Sequence, residues 1–112
     1  MEELSEQIRT FTQQRDWDQF HSPKNLSMAL GVEAAEIMEI FQWMTQEESK
    51  LLDDGALSRL EEEIGDVMIY LVGLADKFGL DPVSLAKRKI GINVRKYPAD
   101  VVRGRAKKYS EY

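Results

Sequence analysis

The 112-residue chain sets 20 Asp and Glu against 15 Lys and Arg, a net charge of −5, and has no cysteine. Disulfides and thiolate metal sites are thereby excluded, and the length suits a single domain spanning residues 1–112. No leader-like segment opens the chain and no apolar run approaches the ~20 residues of a membrane span, so a cytoplasmic protein without a membrane partner is expected.

The predicted elements are all helical. Leu4, Ile8 and Phe11 recur at helical spacing, which predicts a first amphipathic helix over residues 2–15. The segment 15–21 breaks that period and reads as a loop rich in aromatics. Ser22-Pro23 then supplies an N-cap and a first-turn proline for a second helix running to about Met44. Thr45 and Glu48 form a capping box that starts one short turn. Asp53-Asp54-Gly55 is a turn, and a third helix is expected from about Ala56 to Phe78, with Ser58 and Glu61 as a possible capping box of their own.

This third helix is apolar over most of its circumference, which makes it the central one. Gly79 stops it, Asp81-Pro82 starts a fourth helix, and Pro98 forbids that helix beyond Tyr97. Ala99–Tyr112 shows no periodicity and reads as an irregular C-terminal arm. Four helices in this length predict an all-α, four-helix bundle-like fold.

Two acidic patterns sit on the central helices. At about 100° per residue, Leu26, Leu30, Ile37, Ile40 and Met44 share one stripe of the second helix. Glu33 falls inside that stripe, and Glu36 on its edge beside Trp43. On the third helix Leu60, Ile64, Val67, Leu71, Leu74 and Phe78 share a stripe, flanked by Glu63, Asp66 and Tyr70. Most helical acids only solvate an outer face. Acids on a core-facing stripe are different, because an ionised carboxylate withdrawn from water needs a compensating partner. Four acids cannot neutralise one another. A hard divalent cation with oxygen ligands, Mg²⁺ first, would do so.

Two further sets carry possible chemistry. Trp17, Phe20 and His21 from the loop, with Trp43, could flank a pocket and stack a nucleobase, or simply pack a core. Lys89, Asn93 and Lys96 recur at i, i+4, i+7 just before Tyr97, so they share a face that suits phosphate or plain solvation. The charge distribution bears on both. Sixteen acids lie at or before Asp66, whereas nine Lys/Arg lie between Lys87 and Lys108 with only Asp100 opposing them. That asymmetry suits a site holding a metal and a polyphosphate together. The acidic balance of the whole domain argues against nucleic acid as a partner. The single histidine lies in neither acidic helix, which excludes a di-iron carboxylate bundle, and no loop has EF-hand spacing.

Taken together, these segments resemble the MazG-like superfamily of all-α nucleoside triphosphate pyrophosphohydrolases over nearly the full length. The family's E-x-x-E and E-x-x-D match Glu33, Glu36, Glu63 and Asp66, and its K-x-x-x-N-x-x-K-Y-P matches Lys89, Asn93, Lys96, Tyr97 and Pro98. The stretch 15–26 and Phe41-Gln42-Trp43 look most like the dCTP pyrophosphatase branch.

The resemblance implies Mg²⁺-dependent cleavage between the α- and β-phosphates of a (deoxy)nucleoside triphosphate. It implies Glu33, Glu36, Glu63 and Asp66 as metal ligands and catalytic residues. Glu36, by its place at the stripe edge, is the candidate to orient the attacking water. Trp17, His21 and Trp43 are implied around the base, with Asn25 in the same pocket. Lys89, Asn93, Lys96 and Tyr97 are implied around the phosphates, and a homotetramer or dimer is expected. Gly91 departs from the family's pattern and weakens the fourth helix by about 1 kcal/mol. The alternatives are a nucleotide- or metal-binding bundle that does not turn over and a purely structural bundle, the latter leaving Glu33 and Glu63 unexplained.

Overall fold

A computed structural model describes residues 1–104. The described residues are helical throughout, with no strand: α1 (Glu2–Gln14), α2 (Pro23–Phe41), α3 (Gln46–Ser49), α4 (Asp54–Asp76), α5 (Pro82–Lys96) and α6 (Ala99–Val102). A single 3-10 turn, Asp18–Phe20, lies between α1 and α2. The four long helices are those expected, with ends shifted by a few residues. α6 is a difference: one helical turn forms where an irregular arm was expected, because Pro98 starts it and Arg103 already leaves helical geometry. The rest of that arm, 105–112, lies outside the described residues.

Local chemistry explains most helix ends. The Ser22 hydroxyl accepts from the Asn25 amide at 3.1 Å, with Pro23 in the first turn. The Thr45 hydroxyl accepts from the Glu48 amide while Glu48 accepts from the Thr45 amide, completing the expected box. At α4 the expectation for Ser58 fails. Asp53 caps the helix instead, accepting from the Ala56 amide at 2.8 Å, so Ser58 lies inside the first turns. Beyond α4, Gly79 takes a φ of +65° and Leu80 donates to the Ala75 carbonyl, a Schellman-type stop.

α1 ends in the same way without a glycine. Asp16 has a φ of +53°, the Trp17 amide donates to Thr12 O, and the Asp16 amide donates to Gln13 O. Aspartate is one of the few residues that tolerates this left-handed position. The turn sends Trp17 back over the helix, where its ring meets Phe11 edge-on with centroids 5.6 Å apart. The chain reversal therefore positions an aromatic wall.

α4 is central: it packs mainly on α2, then on α1, and only slightly on α5. The buried core is small, namely Leu26 and Ile40 of α2 with Val72 and Ala75 of α4. The stripe expected on α4 is only partly covered. Ile64 is 53% exposed and Phe78 61%, and Leu71 is also exposed, because a helix apolar all round needs more neighbours than α1 and α2 provide. α5 has no buried residue, and its Ile90 and Val94 are bare. The radius of gyration, 17.6 Å, exceeds the ~13 Å of a compact domain this size.

Candidate functional site

α2 and α4 cross with their acids facing. Glu33, Glu36 and Glu63 each offer a carboxylate oxygen, and these oxygens lie within 4.8 Å of one another. All three residues, and Asp66, are half-buried. The spacing that stacks Glu33 on Glu36 and Glu63 on Asp66 thus turns both pairs towards the interhelical seam. Asp66 is not one of the converging three, yet its charge is felt at Glu33.

This crossing is electrostatically incomplete. Glu33 Oε2 and Glu63 Oε2 are buried and have no hydrogen-bond partner. Hydrogen bonding with Glu36 and then Glu33, aided by burial and by their charges, pushes Glu63 up to about 7. Glu33 is raised as well. Its hydrogen bond with Glu63 works the other way but is outweighed by burial and by the Glu36 and Asp66 charges. Without a cation, crowding and burial favour the protonated form of Glu63. The donor set, carboxylate oxygens only and with two orphaned atoms, fits a hard divalent metal.

A groove of about 290 Å³ opens between α1, the loop after it, the start of α2, and the second half of α4. Trp17 and His21 line it, together with Ile8, Phe11, Tyr70 and Gly73. Its charged residues are paired. Arg9 Nε lies 3.4 Å from Asp76 Oδ2, and Lys77 Nζ donates to Asp18 Oδ1 at 2.6 Å. That lysine holds the Asp18 carboxyl below its ordinary value. A groove whose cations are already engaged suits an uncharged flat ring better than a polyphosphate.

The other expected site residues fall outside both places. Trp43 sits in the turn after α2, not on the helix, and is 89% exposed. It does not line the groove with Trp17. Asn25 donates from its side chain to the Phe20 carbonyl at 3.0 Å, which ties the aromatic loop to the first turn of α2. Lys89, Asn93 and Lys96 are on α5, with Tyr97 at its end and the Lys96 ammonium 5.8 Å from the Tyr97 ring. None of these four joins the acid cluster or the groove. Conversely, Ile8, Asp76 and Lys77 were not expected at a site. Helical spacing put Ile8 on the apolar face of α1 and marked nothing at the end of α4.

The sequence pattern of the MazG-like family matches residues 28–112. This chain belongs to the MazG-like family. Among relatives of this MazG-like chain, a protein named dCTP pyrophosphatase 1 from Homo sapiens is 40% identical over 113 aligned positions, covering 99% of the chain. One of the same name from Bos taurus is 37% identical, again over 99% of the chain. The chain spans 66% and 67% of the length of these two relatives. A solved structure, described as a pyrophosphatase from Archaeoglobus fulgidus DSM 4304, is 42% identical and superposes with a TM-score of 0.81. It covers 88% of this chain and 92% of its own. Among the described residues no helix is long and apolar enough to cross a membrane.

Proposed function

We propose that this chain is a nucleoside triphosphate pyrophosphohydrolase that uses Mg²⁺ and prefers dCTP or a related pyrimidine deoxynucleotide. Water hydrolyses the α–β phosphoanhydride, and a nucleoside monophosphate and pyrophosphate leave. The observation that carries the reading is the convergence of Glu33, Glu36 and Glu63 with two orphaned oxygens, at one end of the helix α4 whose other half lines an aromatic groove. The names of the relatives, dCTP pyrophosphatase 1 and pyrophosphatase, support the same substrate class.

In this proposal Glu33, Glu36, Glu63 and Asp66 hold the metal. When bound, a hard divalent cation neutralises phosphate charge and makes water more acidic. The protein's own part is positioning. Trp17 stacks the base while His21 and Tyr70 line the same groove, and the paired charges around them exclude phosphate. A carboxylate not committed to metal, Glu36 being the candidate, orients the attacking water. Lys89, Asn93, Lys96 and Tyr97 supply donors to the phosphates.

The uncovered stripe of α4 and the bare face of α5 favour a homo-oligomer, a tetramer or a dimer, as the working form. The same assembly would bring Trp43 and the α5 residues to a site that one copy leaves open. One domain over 1–112, acting in the cytoplasm in nucleotide-pool cleansing, completes the proposal.

The test is pyrophosphate release from a panel of ribo- and deoxynucleoside triphosphates, with Mg²⁺ and with EDTA. EDTA-sensitive release, strongest with dCTP or a 5-substituted analogue, is the expected result. Preference for a purine would keep the chemistry and discard the pyrimidine assignment. No release from any nucleotide by folded protein would leave a binding-only bundle.

A further inference from the structure

The aromatic loop after α1 is anchored on two sides. On one, Asn25 holds the Phe20 carbonyl and keeps the loop against α2. On the other, Lys77 Nζ reaches back 59 positions to Asp18 Oδ1 at 2.6 Å. Outside the acid cluster, the other side-chain hydrogen bonds of the described residues, those of Lys96 and Tyr97 aside, link residues no more than five apart. The Asp18–Lys77 bond is thus the polar tie between the Trp17 loop and the end of α4, and both of its residues line the groove.

Its location limits what it does. Lys77 follows Glu63 by fourteen positions on and just past α4, about 20 Å along the axis, so it does not serve phosphates held at the acids. Nor is it a mainstay of the fold, because Asp18 is largely exposed and such pairs contribute little to stability. The left-handed Asp16 turn already sets where Trp17 leaves α1. Packing and the Arg9–Asp76 pair hold α1 itself against α4, so what the turn leaves open is the separation between the loop and α4, the width of the groove at its loop end.

We infer that the Asp18–Lys77 pair is a positioning latch that holds the Trp17–His21 wall at a working distance from α4 and so sets how tightly the groove grips a flat ring. The inference rests on reading this groove as the base pocket. Its consequence for kinetics is a change in substrate affinity with little change in the chemical step, since neither residue meets the reacting atoms.

The test uses the full chain as Asp18→Asn, Lys77→Met, Lys77→Arg and the charge exchange Asp18→Lys with Lys77→Asp. Two readouts are taken: steady-state kinetics with dCTP, and acrylamide quenching of Trp17 in a Trp43→Phe background without nucleotide. Asp18→Asn and Lys77→Met should raise KM by about three- to fivefold, with kcat within about twofold of the parent, and make Trp17 easier to quench. Lys77→Arg should match the parent, and the exchange should recover most of both losses. Unchanged KM and quenching in Lys77→Met would overturn the latch. So would a fall in kcat and melting temperature that the exchange fails to recover, since that marks a purely structural pair. Because quenching needs no substrate, it decides the latch even if the base-pocket reading fails in the turnover assay.

Discussion

The two ends of the site sit on the same helix and are built on opposite electrostatic plans. At the α2–α4 crossing, like charges converge and two oxygens have no partner. In the groove beside the second half of α4, each charge has its opposite at hand. Their carboxyls respond accordingly: Glu63 is pushed up to about 7 by its neighbours, whereas Asp18 is held down by Lys77. The first end needs a cation to complete it. The second is already neutral and needs only a surface to cover. A nucleoside triphosphate, with charge at one end and a flat uncharged ring at the other, has the matching asymmetry.

The sharpest way to break this contrast is at the acids. Glu63→Gln keeps the shape and removes the charge, so it should fold normally and lower kcat by about 100- to 1000-fold in the pyrophosphate-release assay. Near-parent turnover would remove Glu63 from the metal site. The groove responds differently. Trp17→Ala should raise KM for dCTP by about 10- to 100-fold, in line with the loss of one stacked base, with a smaller effect on kcat. An equal fall in kcat with KM unchanged would show that Trp17 does not meet the base.

Titration separates the ends further. Glu63 in the folded, metal-free protein keeps its proton up to about 7, above the ordinary 4.5 of an unfolded chain. The stability this gives is fully present below 4.5 and is lost as pH rises through 7. The melting temperature of metal-free protein should therefore fall between pH 5 and pH 8, and Mg²⁺ at pH 8 should raise it again. A metal-free midpoint that climbs over this range would contradict the like-charge picture. Asp18 has the opposite sign: its contribution is present above 3.8 and is lost only on stronger acidification.

The smallest expected effect tests the bare side of the molecule. A Cβ at Gly91 would meet nothing within 4 Å in the single chain. Gly91→Ala should accordingly stabilise α5 by up to about 1 kcal/mol in chemical denaturation. A loss of stability instead would mean that another copy packs closely on that face.

Much of this was legible from residue types, and the exceptions have physical causes. Ser22-Pro23, the Thr45 box, Asp81-Pro82 and Gly79 act through neighbours within a few positions, so spacing alone identifies them. Helical phase likewise turned Glu33 and Glu63 towards the seam. Phase does not say which apolar stripe a chain covers with its own helices, and Ile64 and Phe78 stayed exposed for that reason. The broken period placed the α1 stop within one residue, but its left-handed turn was hidden because Asp16 stands where glycine is usual. The groove was hidden because its walls come from segments far apart in sequence, with Ile8 and Phe11 facing Tyr70 and Asp76.

Because α4 runs without a break from Asp54 to Asp76, it acts as a ruler. Its acids and its groove residues keep a separation of about 10 Å, counted from Asp66 to Gly73 at the rise of an α-helix. A ligand can occupy both ends only if its own length matches that spacing. One residue inserted between Asp66 and Tyr70 would lengthen the gap by about 1.5 Å and turn the groove by about 100° away from the acids. On the proposed reading, helical pitch would make the molecule a gauge of a ligand's reach as well as of its charge.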